Sequence, residues 1–151
     1  MLSRSRGFSL IELMVTISIV AILLAIAAPS FRDLVAGQRI KTASYDILSA
    51  LTYVRSEAIK RNANVSLAPA TGGWQSGWSM TTGSTTLSQH QAFPGLTISG
   101  PSSAVIYGRD GRITSTSSPA FGVSSSVSSS VPGRCVSVDL SGLPSSKVGS
   151  C

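Results

Sequence analysis

The feature that most constrains this chain is an apolar run from Phe8 to Ala28, close to its amino terminus. Its 21 residues include a single charged side chain, that of Glu12. At about 1.5 Å per residue a helix of this length spans roughly 32 Å, which matches the hydrocarbon core of a bilayer at about 30 Å. The run therefore predicts a membrane-spanning helix, and the residues that follow it must fold outside the bilayer.

The residues before the apolar run distinguish it from an ordinary secretory signal, which carries its small-residue cleavage site after the apolar region. Here Gly7 precedes the run, so cleavage after Gly7 would keep the span on the mature protein and make Phe8 its new amino terminus. Arg4 and Arg6 place this end of the chain in the cytoplasm by the positive-inside rule. We therefore expect a single-pass membrane protein whose residues after about Pro29 lie in an oxidising compartment.

Glu12 is the unusual residue of the span. An acid near the centre of a span costs roughly 2.5–3.5 kcal/mol, and less near an end, so such a residue generally has a partner and a function. The cationic amine of Phe8 on a neighbouring subunit is a natural partner for the Glu12 carboxylate. The alternative is an uncleaved anchor whose Glu12 lies in the headgroup region.

The segment Gly7-Phe8-Ser9-Leu10-Ile11-Glu12, after a short basic leader, resembles the class-III signal of type IV pilins and pseudopilins. Pro29 also stands where many pilins have a helix-bending proline. The resemblance implies that a prepilin peptidase cuts after Gly7 and N-methylates Phe8, and that Glu12 guides docking into a growing filament. It also implies the partners: other pilins, the peptidase, the lipid bilayer and an inner-membrane assembly platform, with the globular domain in the periplasm.

A second helical pattern follows Pro29. Apolar residues recur at steps of three and four and mark one helical face. Together with the span they predict one long helix from Phe8 to about Asn62, kinked at Pro29, whose second half packs on a globular domain. The expected organisation is a leader over 1–7, a span over 8–29, an amphipathic half-helix over 30–62 and a β domain over 63–151. The apolar face comprises Ile40, Ala43, Ile47, Leu51, Val54 and Ala58.

From Asn64 onward the pattern changes to short strand-like runs separated by Gly, Pro and Ser clusters, as in antiparallel sheets. Asp110-Gly111 between apolar runs is a hairpin signal. The serine-rich stretches 115–118 and 124–130 are typical of flexible loops. The fold class expected is α+β, a long amino-terminal helix packed on a carboxy-terminal antiparallel sheet.

Two cysteines, Cys135 and Cys151, suit a disulfide in the oxidising compartment. A hairpin centred on Ser141-Gly142-Leu143-Pro144 would pair Leu140 with Ser146 and bring the two cysteines opposite each other. Such a bridge is worth about 3 kcal/mol in the chain-entropy model. The alternative is two free thiols, and no CxxC motif suggests metal or redox chemistry.

Little else in the chain suggests chemistry. His90 lies in a polar context that is typical of a solvated loop, and no nucleophile elbow, phosphate-binding loop, metal set or cofactor motif is apparent. We expect no enzyme and no cofactor. Trp74 and Trp78 could stack on a base or a sugar, although such residues more often cover a small core. The net charge is +6, and four basic residues could form one edge that contacts DNA or another anion, although such an edge is more often merely solvated: Arg109, Arg112, Arg134 and Lys147.

The body of the chain is similar to the GspH/FimT group of pilins and pseudopilins. The resemblance rests on the segments 55–62 with 65–67, 74–78, 107–112 and 133–138. It implies a minor pilin that helps to initiate or cap a type IV pilus, or alternatively an H-type pseudopilin of type II secretion. A third reading is a DNA-binding minor pilin. The Gly-Arg-x-Arg element through which some of these bind DNA is absent from 141–147, where both arginines are missing.

Overall fold

The computed structural model describes residues 8–151, and helix α1 runs from Leu10 to Arg61. Ser9 caps its amino terminus by accepting a hydrogen bond from the backbone N–H of Glu12. Asn62 ends it in the left-handed conformation, at φ 51°, and its N–H donates to the carbonyl groups of Ala58 and Ile59. The predicted helix is confirmed, and its ends differ from the expected bounds by one or two residues.

The two halves of α1 have different environments. Its most apolar window of 18 residues has a mean hydropathy of 2.7, and none of that window is buried. Burial begins at Ala36 and follows one face to Ala58, which includes the whole predicted apolar face. The helix is long and apolar enough to cross a membrane, and its second half forms one layer of a globular core.

Eight strands follow α1 within residues 8–151 and form two antiparallel four-stranded sheets. The first sheet has the order β3-β2-β1-β5 and the second the order β4-β6-β7-β8. This agrees with the expected α+β class, although the division into two sheets was not foreseen. The strands are β1 (Val65–Ala70), β2 (Gly73–Thr82), β3 (Thr85–His90), β4 (Leu96–Ser99), β5 (Val105–Tyr107), β6 (Ala120–Ser125), β7 (Arg134–Val138) and β8 (Pro144–Val148).

The core lies between the apolar face of α1 and the inner faces of both sheets. Trp74 and Trp78 are 3% and 2% exposed, which confirms core packing over a role as exposed stacking platforms. Trp74 meets Phe121 of the second sheet edge to face, with ring centroids 4.8 Å apart. Burial raises the pKa of Tyr107 to about 12, although the nearby Arg55 acts in the opposite direction.

The β7–β8 hairpin has a different register from the one predicted. Ser146 pairs with Val136 rather than with Leu140, and Cys135 pairs with Lys147. The turn is centred on Ser141, two residues earlier than expected, where Gly142 adopts φ 83° and the Asp139 carboxylate accepts from the Leu143 N–H.

The predicted disulfide is nevertheless present, because the chain turns back after β8. Gly149 adopts φ 106° and its N–H donates to the Gly133 carbonyl, so β8 ends at Val148. The last residues then return to the outer side of β7. There Cys151 is bonded to Cys135 with their Cα atoms 5.0 Å apart.

Removal of this disulfide is expected to destabilise the globular domain. The bridge joins residues 16 positions apart, and closing a loop of that size is worth about 3 kcal/mol in the unfolded chain. We expect Cys135→Ser with Cys151→Ser to lower the free energy of unfolding by about that amount. Denaturant titration of the detergent-solubilised protein, followed by near-ultraviolet circular dichroism, measures it. An unchanged midpoint in the double variant would contradict the expectation.

Two predicted loops have more structure than expected. His90 ends strand β3, a polar edge strand paired with β2, instead of lying in a solvated loop. Its ring stacks on both Trp78 and Phe93, at centroid distances of 4.5 and 4.4 Å, and those two rings also contact each other, so the three form one aromatic cluster. Strand β3 gave no sequence signal because backbone pairing at a sheet edge needs no apolar alternation. The stretch 124–130 begins within β6, and its remainder is hydrogen-bonded to α1.

Candidate assembly and anchoring site

The amino-terminal end of α1 carries the predicted processing and assembly residues. Phe8 is 71% exposed and immediately precedes the capping residue Ser9. Gly7 and the leader arginines, Arg4 and Arg6, lie outside the described residues, so the predicted cleavage position remains a prediction.

Glu12 occupies the third position of the helix, where its N–H donates to the Ser9 hydroxyl at 3.3 Å. Ser9 and Glu12 therefore have the spacing of a capping box, which the sequence pattern Ser-x-x-Glu also indicates. A negative charge is also favourable near the positive end of the helix dipole. Within residues 8–151 the exposed Glu12 carboxylate has no ion-pair partner.

The first half of α1 presents apolar side chains on every side. Ile11, Leu24 and Phe31 are 67%, 63% and 68% exposed, and the remaining large apolar residues of this half have comparable values. An isolated helix of this kind is unstable in water and needs lipid or neighbouring helices around it. Pro29 lies inside the continuous helix, and the kink expected there remains a prediction.

Two hydrogen bonds join the loop after β6 to Asp33 of α1, and we call this contact the Asp33 clasp. The two carboxylate oxygens of Asp33 accept from the hydroxyl groups of Ser128 at 2.6 Å and Ser130 at 2.7 Å. These bonds, that of Ser128 first, hold the pKa of Asp33 below its usual value of 3.8. No sequence pattern pointed to this contact, because the partners are 95 and 97 residues apart.

The Asp33 clasp is expected to make the free energy of unfolding depend on pH in the acidic range. Because the pKa of Asp33 is lower in the folded chain than in the unfolded chain, its contribution is complete above pH 3.8 and is lost as the pH falls through the folded value. Asp33→Asn should therefore unfold slightly more easily than the wild type at neutral pH, and the difference should disappear as the pH falls below the folded pKa of Asp33. Thermal unfolding in detergent across this range is the measurement. A difference that stays constant down to the lowest pH would exclude the carboxylate as its cause.

The four candidate DNA contacts lie in different places. Arg109 and Arg112 flank the Asp110-Gly111 turn, and Gly111 packs against the Gly142 turn at one end of the β7–β8 hairpin. Arg134 starts β7 at the opposite end of that hairpin. The structure therefore does not bring the four residues to one edge.

Arg134 and Lys147 also point to different sides of the second sheet. The Arg134 guanidinium lies over the Tyr45 ring at 5.7 Å and donates to the Ser146 hydroxyl at 3.3 Å. Lys147 pairs with Cys135 and shares the outer face of the sheet with it. Arg134 is thus held between α1 and β8, where it packs as part of the fold.

The last turns of α1 contain an ion pair at the i,i+4 spacing of Glu57 and Arg61. The Glu57 side chain is only 7% exposed and contacts both Arg61 and Lys60. The hydrogen bond from Arg61 lowers the pKa of Glu57, and burial acts in the opposite direction. The apolar spacing of the helix did not indicate that an acid would be buried on this face.

Two family models match the chain. The model described as type II transport protein GspH matches residues 43–142, about two thirds of the chain. The model described as the prokaryotic N-terminal methylation motif matches residues 2–28. The two matches divide the chain between its anchor and its globular domain.

One curated protein and two solved structures are similar to the chain. A stretch of 53 residues is 43% identical to the fimbrial protein EcpB of Eikenella corrodens, and it covers 35% of this chain and 33% of that protein. The chain therefore matches about a third of the length of this relative. Two crystal structures of the type IV minor pilin FimU of Pseudomonas aeruginosa align with TM-scores of 0.63 and 0.66. Their sequences are 20% and 19% identical to this chain. The alignments cover 71% and 73% of this chain and 91% and 89% of the FimU chains, which shows a shared fold.

Proposed function

Because the chain belongs to the GspH family, whose members are pilins and pseudopilins of the type IV pilin superfamily, we propose that it is a minor pilin that helps to initiate or cap a type IV pilus. The observation that carries the proposal is the fully exposed apolar half of α1 in front of a folded domain. A helix of this kind is stable in a bilayer and equally stable when other apolar helices replace the lipid. A subunit built in this way can be stored in a membrane and then transferred into a filament.

The steps of this transfer use the amino-terminal residues. A prepilin peptidase removes residues 1–7 and methylates the new amino terminus at Phe8. The leader arginines keep that end in the cytoplasm until cleavage, while the domain after Pro29 folds in the periplasm. Glu12 of an incoming subunit then meets the Phe8 ammonium of a neighbour, and pairing offsets the desolvation of both charges.

A second candidate is a pseudopilin of the type II secretion system. The family model that matches residues 43–142 is named for type II transport, which favours this candidate. The fimbrial relative and the FimU structures favour the pilus. Both candidates use the same anchor and the same assembly chemistry, and they differ in which filament receives the subunit.

Deletion of the gene distinguishes the two candidates. A minor pilin that initiates assembly should be needed for surface pili, so the deletion strain should lose them and the wild-type chain should restore them. Electron microscopy of sheared surface fractions measures pili, and the amount of exported protein in the medium is measured in the same cultures. Normal pili with reduced export would assign the chain to secretion. Normal pili with normal export would contradict both candidates.

A further inference from the structure

The membrane-proximal end of the globular domain has a surface that the assembly residues do not explain. Five residues there line a groove of about 460 Å³ together with Ala36. We call them the collar: Phe31, Arg32, Val35 and Arg39 of α1 and Val127 of the β6–β7 loop. We propose that the collar contacts the lipid headgroups around the span while the subunit is in the membrane, before it enters a filament. This inference rests on the proposed function, because it requires α1 to span a bilayer.

The position of the collar along α1 supports a lipid partner. Arg32 is four residues beyond Ala28, which corresponds to roughly 6 Å along the helix axis. The headgroup region on each side of the hydrocarbon core is about 5–7 Å thick, so Phe31 and Arg32 fall within it when residues 8–28 fill the core. Aromatic and basic residues are the side chains that favour this depth.

Val127 extends the collar from the helix to the sheet. It is 69% exposed at the tip of a loop that otherwise consists of serines from 124 to 130. The loop is held in place because the N–H groups of Val127 and Ser128 both donate to the Ser125 hydroxyl at 3.1 Å. The Asp33 clasp fixes its other half against α1. An exposed apolar side chain on a fixed loop beside the end of a span is placed to insert between headgroups.

The charge of the collar favours anionic lipid. Arg32 and Arg39 have no ion-pair partner within residues 8–151, and Asp33 is occupied by its two serines. The next acid along α1 is Asp46, which lies near His90 and roughly 20 Å further from the span. Helical side chains lean toward the amino terminus, so Arg39 reaches back toward the membrane. Basic groups beside a span are attracted to anionic headgroups over about one Debye length.

The test places a fluorescent reporter on the collar of the full chain in lipid nanodiscs. Val127→Trp adds one tryptophan at the loop tip. The native Trp74 and Trp78 are buried, and their background fluorescence is measured in the wild-type protein and subtracted. Leu143→Trp is the matched control. Leu143 is 56% exposed next to Gly142, which packs on Gly111, and Gly111 faces Ile59 of α1. Ile59 lies roughly 30–40 Å along α1 from the helical residues of the collar, so Leu143 is far from it.

In nanodiscs with anionic lipids brominated near the headgroup end of their acyl chains, the added V127W emission should lose about half of its intensity or more, whereas the L143W emission should be unchanged. Neutral lipid, or Arg32→Gln with Arg39→Gln in anionic lipid, should reduce the quenching. Asp33→Ala should reduce it as well, because it releases the loop that carries the reporter.

Three outcomes would overturn the inference. Equal quenching of V127W and L143W would indicate unspecific adhesion to lipid. If V127W is not quenched although the chain resists alkaline extraction, the proposed contact between the collar and lipid is wrong and the proposed function is unaffected. A spectral shift of V127W that occurs without quenching, and only with several copies in each disc, would assign the collar to contacts between copies. Extraction of the chain by alkali would instead contradict the membrane anchor and with it the proposed function.

Discussion

Replacing Glu12 with alanine is expected to leave the protein processed and membrane-bound but to exclude it from filaments. In an assembled bundle of apolar helices, the Glu12 carboxylate and the Phe8 ammonium of a neighbour are both removed from water. Loss of one partner of such a pair costs about 3–5 kcal/mol because the other charge stays buried alone. Incorporation should therefore fall by roughly a hundredfold or more.

Glu12→Gln separates this charge effect from the role of Glu12 in capping. The capping hydrogen bond that the structure shows uses the backbone N–H of residue 12, and a glutamine at the third helical position suits a capping box as well as a glutamate does. The glutamine variant therefore keeps the start of the helix and removes only the charge. We expect it to be excluded from filaments as completely as the alanine variant.

The measurement is the ratio of the tagged subunit in sheared filaments to that in membranes, with mass spectrometry of the amino terminus as a control for processing. Ser9→Ala serves as a matched variant that weakens the cap and keeps the charge. If Glu12→Gln assembled like the wild type while Ser9→Ala and Glu12→Ala failed, the residue would act through the helix cap. In that case the proposed pairing with Phe8 would be wrong.

The helix was predictable from the sequence because its signals are local. The spacing from Ile40 to Ala58 defines one face, and every residue of that face is buried in the structure. Ser9 and Asn62 cap the two ends with their own side chain and backbone. Such features depend on residues within a few positions of each other, so a single chain displays them.

The sheets were less predictable because their register depends on backbone conformation. Gly142 adopts φ 83° in the β7–β8 turn, and with the turn in this position Cys135 pairs with Lys147 instead of Cys151. Strand β3 is polar at most of its positions and, as an edge strand, pairs with β2 only. The Asp33 clasp joins residues that are 95 and 97 positions apart, and no periodicity links them. These features are decided by contacts that form only in the folded chain.

Because the strands form two separate sheets, the side-chain contact between the sheets contributes strongly to the stability of the domain. Trp74 extends from β2 of the first sheet and Phe121 from β6 of the second, and their rings meet at 4.8 Å. The backbone at Gly100 closes over this pair, since a Cβ there would lie 2.6 Å from the Trp74 ring and 2.9 Å from the Phe121 ring. Phe121 has no exposed surface. It therefore fills the junction of α1 and both sheets, where little room exists for neighbours to collapse into a gap.

Phe121→Ala should accordingly lower the free energy of unfolding by about 3–5 kcal/mol, which is a large part of the stability of a small domain. Phe121→Leu, which keeps most of the volume and loses the aromatic edge contact, should cost clearly less. Ile106→Ala is the matched control, because Ile106 is 37% exposed on the outer face of the first sheet. Denaturant unfolding in detergent, followed by the fluorescence of Trp74 and Trp78, compares the three variants. A cost for Phe121→Ala no larger than that for Ile106→Ala would mean that the two sheets are not joined through this pair.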